Sequence, residues 1–518
     1  MTTPAPDAPL PGDLDRLVAD DHAVVERQFQ HLEAGRGDRR TLADQVSYEL
    51  ALHAYGEETV MYPGFVEVGM VEDSEEAHDD HADMKKHVTT LDGADPGDEK
   101  FEDALLELIR DVRHHAPEEE HEMLPPFRRH VGSAQMGQLG HTFTEAKRNA
   151  PTRAHPHAPD EGVKEQGAGV LAAPLDKLRD LASGRLRRLA TDASGLLDEQ
   201  AQGLLDAYAS LMPRTPELQT PDVARAEPTL ADAVRARAKK LDRATEPEEV
   251  AHVETKAVEY PSGVALSLRV YHPRASDGAG LPVLLWAHGG GFVFGDTPTY
   301  DASCRGLANA TQALVIAPEY RLAPEHPFPA AFDDVLAAYR WACASADVVG
   351  GDPSRVAVGG EGVGATMAAA ASLTLLENDQ RMPATQVLVH PLTTTAQYGE
   401  SMQDSADARP LNRPLLSWCL THAFHGTTDS LRDPRMNLLD LPVPRLAAMP
   451  PTVVVTVERD PLRSQGQAFA ERLREAGTLA AHLHYAGVPH DFLGAATVLD
   501  KARDAQRQIG AHLRTTFG

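Results

Sequence analysis

From about residue 250 to the C-terminus, short apolar and partly β-branched runs alternate with helical segments. The runs are "VALSLRVYHP", "PVLLWAHGGG", "ALVIAPEY", "RVAVGG" and "PTVVVTVE". This alternation leaves few architectures open: a mostly parallel sheet must bury both of its faces under helices. In that class, ligands sit beyond the carboxyl ends of the strands. One stretch places such an end in the sequence. "RVAVGGEGVGATMAAAASL" (Arg355 to Leu373) runs from a buried strand through glycines into an alanine-rich helix, with Gly362 at the crest of the turn.

The front of the chain follows a different period. Residues 13–130 read as amphipathic helices at about 14–35, 39–62, 71–91 and 99–130, the pattern of an antiparallel four-helix bundle. The segment "NAPTRAHPHAPDEGVKEQGAG" (149–169) has no apolar periodicity and reads as a linker. Residues 170–208 give one or two helices with a basic face. That face includes Lys177, Arg179, Arg185, Arg187 and Arg188 and is suited to packing on an acidic neighbour. A chain of 518 residues exceeds one ordinary core. The expected division is therefore a bundle (1–148), a linker (149–169), connecting or cap helices (170–208) and an α/β domain (209–518).

Charge and cysteine content exclude several function classes. The formal charge is −28, and residues 1–150 alone carry 33 acidic and 14 basic side chains. Such a surface repels phosphate backbones, so no nucleic-acid partner is expected. The three cysteines, Cys304, Cys343 and Cys419, form no metal-type pair and no disulfide framework. The first residues lack the basic and apolar regions of a signal peptide, and no apolar run is long enough to span a bilayer. A cytoplasmic protein is the expectation, and a homo-oligomer is compatible with it.

The bundle helices carry His22, then His53 with Glu57, then His81, then His115 with Glu119. Residues four apart share a helical face, so each His-x-x-x-Glu pair aims an imidazole and a carboxylate at one point. Four helices contributing His and Glu inward build a dinuclear iron or manganese site, with carboxylates bridging and imidazoles terminal. The segments "DHAVVERQF", "HAYGEETVMYP", "DDHADMKKHV" and "RHHAPEEEHEMLP" resemble the hemerythrin-like, HHE cation-binding family. The resemblance implies two iron ions, with His22, His53, Glu57, His81, His115 and Glu119 as ligands. Where oxygen-carrying hemerythrins have a further His, one turn before the third-helix ligand, this chain has Ala77, with His78 three residues before His81. An open or water-filled position on one iron then favours redox, peroxide or nitric oxide chemistry over oxygen carriage. Pro117, between His115 and Glu119, removes a helix hydrogen bond and makes the last ligand pair the least secure.

The α/β region resembles the hormone-sensitive-lipase-like branch of the α/β-hydrolase fold, a mostly parallel sheet covered by helices with a helical cap. The motifs are "HGGGFVFGD" (288–296), "YRLAPEHPFPAAFDD" (320–334), "ERDPLR" and "VPHDF". The resemblance implies an oxyanion hole at Gly289, Gly290, Gly291 and Val363, with Asp460 as acid and His490 as base, in the chain order of the fold. Where the family's elbow carries its nucleophilic serine, this chain has Gly362, within Gly360-Glu361-Gly362-Val363-Gly364. Ordinary acyl-enzyme chemistry then lacks its attacking atom, while a His-activated water or ligand binding remains open.

Taken together, these features lead us to expect a di-iron protein responsive to oxygen, redox state or iron, whose second domain binds a small acyl or ester-like ligand and has lost serine-esterase activity. The alternative is a carboxylic ester hydrolase regulated by the bundle. A plain interaction scaffold would need neither metal nor ligand.

Overall fold

A computed structural model describes residues 9–153, 183–259, 265–274, 280–424 and 428–518, together with Asp176, Arg179 and Asp180. Most of the expected linker, and Lys177, lie outside the described residues.

The N-terminal helices are α1 (Leu14–Glu33), α2 (Arg39–Gly56), α3 (Tyr62–Glu67), α4 (Val71–Gly93), α5 (Glu99–Glu118), α6 (Leu124–Val131) and α7 (Ser133–Asn149). Two of the four expected helices are interrupted. One π turn, Glu57–Met61, joins α2 to α3, and another, Glu119–Met123, joins α5 to α6. Each π turn begins at the glutamate of a His-x-x-x-Glu pair, and such single-turn widenings of a helix recur at functional sites. The four-helix expectation missed α7, which packs across α1 and α2. Apolar clusters lie on either side of the bundle's polar middle. One contains Val25, Phe29, Leu42 and Leu108; the other contains Leu14, Val18, Phe65 and Phe127.

Between the bundle and the sheet come α8 (Arg185–Ala190), α9 (Glu199–Ser210) and α10 (Leu230–Lys240). The expected docking of basic helix on acidic bundle is present in part. Arg188 pairs with Asp44 and Arg185 with Asp92, whereas Arg179 and Arg187 are exposed.

The α/β region is one eight-stranded sheet in the order β1-β2-β4-β3-β5-β6-β7-β8. The strands are β1 (His252–Glu259), β2 (Ala265–His272), β3 (Leu281–Ala287), β4 (Leu314–Pro318), β5 (Gly351–Glu361), β6 (Gln386–Val389), β7 (Thr452–Arg459) and β8 (Leu479–Pro489). β3 to β8 run parallel, and β2 is antiparallel to both of its neighbours. One face is covered by α11 (Asp301–Thr311) and α16 (Asp500–Phe517). The other is covered by α12 (Ala330–Ser345), α13 (Val363–Glu377) and α15 (Arg463–Ala476), while α14 (Arg413–Phe424) lies against α1 of the bundle. Strands buried on both faces explain the near-continuous Val, Leu and Ile runs. Among the described residues no helix is long and apolar enough to cross a membrane.

The bundle sits directly on this domain. Asp20 of α1 is buried and accepts from Arg413 Nε (2.6 Å), Gln397 Nε2 (2.8 Å) and the Ser417 hydroxyl. Farther along α1, His31 Nε2 lies 3.6 Å from Asp407, whose other oxygen accepts from Arg459.

Candidate functional site

The six His and Glu side chains expected as ligands converge in the middle of the bundle, and all are buried. They form two groups, His22, His53, Glu57 and Glu119 on one side and His81, His115, Glu57 and Glu119 on the other. The two glutamates belong to both groups. His53 Nε2 lies 3.1 Å and His81 Nε2 3.3 Å from Glu57 Oε2, and His115 Nε2 lies 3.2 Å from Glu119 Oε1. Pro117 stays inside α5 and does not part His115 from Glu119, because the π turn starts only at Glu119. Both oxygens of Glu57 and Oε2 of Glu119 are buried without a hydrogen-bond partner. Two adjacent buried carboxylates ringed by imidazoles are a donor set that fits a metal site.

Each imidazole turns Nε2 inward and sets Nδ1 against an outer carboxylate. The pairs are His22 with Glu120 (2.8 Å), His53 with Asp21 (3.2 Å), His81 with Glu58 (2.9 Å) and His115 with Asp80 (3.1 Å). Such partners fix ring orientation and raise ligand basicity. None of the four stands out in the sequence, although each sits beside an expected ligand in the chain. The same holds for Tyr62, whose hydroxyl donates to Glu119 Oε1 (2.9 Å) and lies 3.0 Å from His81 Nε2.

A second constellation lies at the carboxyl ends of β3, β5, β7 and β8. Gly362 stands between the last residue of β5 and the first of α13 with φ 54° and ψ −121°, a backbone that L side chains adopt only under strain. A Cβ there would lie 3.5 Å from His490 Nε2 and 3.8 Å from Gly289 Cα, ordinary contact distances. His490 Nδ1 is 3.1 Å from Asp460 Oδ2, and Asp460 Oδ1 accepts from Leu462 N–H (2.8 Å). The acid, the base and the elbow expected from the sequence are thus within reach of one another, with no side chain at the elbow.

The glycine loop is held from behind. His288 Nδ1 lies 2.9 Å from the Tyr320 hydroxyl, which also reaches the carbonyls of His288 (2.9 Å) and Gly289 (3.1 Å). Gly290 and Gly291 have φ of 100° and 62°. A Cβ on Gly290 would run into the Phe294 carbonyl and one on Gly291 into Cys419 Sγ. Gly290, Gly291, Gly362, Val363 and His490 line one cavity of about 670 Å³ whose remaining wall is largely apolar, with Phe294, Leu322, Leu415 and Leu416.

Burial alone would lower the pKa of His490, but Asp460, Asp491 and Glu361 outweigh it and push the imidazole up to about 9. Glu361 is itself pushed up to about 8 by burial and by Asp491. Its carboxylate accepts from Trp286 Nε1 (3.2 Å). His390, at the end of β6, packs its ring 4.0 Å from that of His490 and is held neutral by burial and by the neighbouring imidazolium. His390, Asp491 and Tyr300 were not anticipated from the sequence. They become visible only when β6, β8 and α11 are brought together.

Residues 284–494 match the alpha/beta hydrolase fold family, and residues 13–127 match the hemerythrin HHE cation binding domain. The esterase LipI of Mycobacterium tuberculosis is 34% identical over 287 residues, covering 55% of this chain and 88% of that protein. The ethyl acetate hydrolase of Pseudomonas putida is 34% identical over 242 residues, covering 46% of this chain and 75% of its own. An ester-hydrolase from the metagenome of Lake Arreo, solved with a bipyridine phosphonate derivative, superposes with a TM-score of 0.56 at 32% identity. It covers 62% of this chain and 100% of that one. The chain belongs to the esterase-like α/β-hydrolase fold family and carries a hemerythrin HHE cation-binding domain in front of it.

Proposed function

We propose that this chain hydrolyses small carboxylic esters with a water molecule as nucleophile, and that the metal-binding bundle docked on it regulates that pocket. One observation carries the first half: His490 Nε2 points at the place where a Gly362 side chain would be, 3.5 Å from a Cβ built there. The base and its orienting acid are retained and aimed at a volume that only solvent or ligand fills. In the proposed reaction His490 takes a proton from a water over Gly362, and the resulting hydroxide adds to the ester carbonyl. N–H groups of the Gly289–Gly291 loop and of Val363 receive the oxyanion. His490 then returns its proton to the leaving alkoxide, so ester and water become acid and alcohol. Without a side-chain nucleophile the acceleration falls to about 10³–10⁴-fold over water.

The second half rests on α1 and α14. Asp20, bound to Arg413 and Ser417 at one end of α14, precedes Asp21 and His22 of the metal centre. Leu415, Leu416 and Cys419 of the same α14 line the ester cavity. In the bundle, His22, His53, His81, His115, Glu57 and Glu119 would hold two iron ions, which supply redox and small-gas chemistry when bound. The His-to-carboxylate pairs orient those imidazoles. Turnover of p-nitrophenyl butyrate by the full chain, compared with His490→Ala, tests the catalytic reading. Slow turnover that the substitution abolishes supports it, and equal rates overturn it.

A further inference from the structure

We infer that the resident ligand of the hydrolase cavity is a free aliphatic monocarboxylate. One of its oxygens would lie on the N–H groups of the glycine loop and the other on His490 Nε2, in the volume over Gly362. This rests on reading that cavity as the acyl site, and it names the chemical class the cavity holds rather than turns over.

The geometry leaves room for a carboxylate between the glycine loop and the imidazole, and charge separates it from an ester. In a serine esterase the space between the base and the oxyanion loop is filled by the nucleophile. Here the nearest atoms to a Cβ on Gly362 are His490 Nε2 at 3.5 Å, Gly289 Cα at 3.8 Å and His490 Cε1 at 3.9 Å. A planar group with two oxygens can span loop and imidazole, and an anionic oxygen accepts the shorter and stronger hydrogen bond.

The groups around His490 favour its cationic form. Asp460, from the turn after β7, faces Nδ1 at 3.1 Å. Asp491 Oδ1 lies 4.0 Å from Nε2 and accepts from the Tyr300 hydroxyl at the start of α11. Glu361 stands at the end of β5 and the neutral His390 at the end of β6. Against the effect of burial, Asp460 is the foremost charge that raises His490, and it sits on the Nδ1 side, so Nε2 is the side of the imidazolium that meets a further negative charge. The apolar wall of Phe294, Leu322, Leu415 and Leu416 takes the alkyl tail.

Hydrolysis and carboxylate binding then divide by pH. As a base His490 must be neutral, above about 9, whereas as a carboxylate donor it must be protonated, below about 9. Below that point the acid formed by hydrolysis stays where the attacking water would enter.

The test is calorimetric titration of the full chain with hexanoate, hexanamide and methyl hexanoate, across pH and beside ester turnover on the same protein. Hexanoate should bind at neutral pH at least about tenfold more tightly than either neutral compound. Its affinity should fall as pH rises through about 9. His490→Phe should remove the preference for the acid, and Gly362→Ser should weaken hexanoate by refilling the volume. Thermal melts of both variants show that they fold, and the comparison among the three ligands on the unmodified chain needs neither variant. Equal affinity for hexanoate and hexanamide, no hexanoate binding, or binding independent of pH overturns the inference. Carboxylate selectivity without any turnover leaves the inference standing and removes the catalytic reading. Turnover without selectivity does the reverse.

Discussion

Arg413 Nε lies 2.6 Å from Asp20 Oδ1, and both side chains are buried where the bundle meets the hydrolase domain. The next two residues of α1 belong to the buried His/Glu cluster: Asp21 faces His53, and His22 is one of the converging imidazoles. Breaking a buried ion pair by removing one partner leaves an uncompensated charge and costs about 3–5 kcal/mol. Asp20→Ala should therefore destabilise the full chain by that order, read as a lowered midpoint in denaturant. Asp20→Ala with Arg413→Met should recover part of the loss. A single Asp20→Ala without effect would show that the two parts are not held together here.

Iron content should depend on the outer carboxylates as well as on the ligands. Asp21→Ala or Glu58→Gln removes the partner of a histidine Nδ1 and should weaken metal binding about 10–100-fold. Competition with a chelator, followed by metal analysis, measures it. Glu58→Gln keeps the shape of the side chain, so a loss there reports orientation and basicity rather than packing.

If the bundle acts on the ester cavity through α1 and α14, stripping the metal should change ester turnover or hexanoate affinity about fivefold or more, the lower end of ordinary coupling between sites. In Asp20→Ala the same treatment should have no effect on the cavity. A full response to metal removal in that variant would place the coupling elsewhere.

The rate of ester hydrolysis should climb with pH. His490 is held up near 9 by Asp460, Asp491 and Glu361 against the effect of burial, so below that pH the imidazole is protonated and cannot accept the proton of a water. A log kcat/KM profile should rise with unit slope and level off above about 9. A plateau already reached at neutral pH would mean that Asp460 and its neighbours do not hold His490 protonated there.

Much of this arrangement was legible in the sequence because it depends on local spacing. The His53–Glu57 and His115–Glu119 pairs read directly as one helical face, and "RVAVGGEGVGATMAAAASL" as strand, crest and helix. What stayed hidden is contact between segments distant in the chain. Asp21, Glu58, Asp80 and Glu120 each neighbour a ligand in sequence, yet each serves a histidine on another helix. The last bundle helix, α7, is not visible in the sequence because its mixed composition shows no strong apolar period, and it is held by Lys147 on Asp21 and Phe143 against Gly56. β6 is only four residues long and buried on both faces, too short for its apolar run to stand out, and so His390 at its end is not visible in the sequence.

The absence of a side-chain nucleophile is tested most directly by rapid-quench mass spectrometry of the intact chain during turnover of p-nitrophenyl butyrate, with Gly362→Ser and His490→Ala run beside it. Slow His490-dependent turnover with no acyl adduct is expected on the unmodified protein, and an acyl adduct on the Gly362→Ser chain. A butyryl adduct on the unmodified chain, or turnover unchanged in His490→Ala, would contradict the proposed reaction.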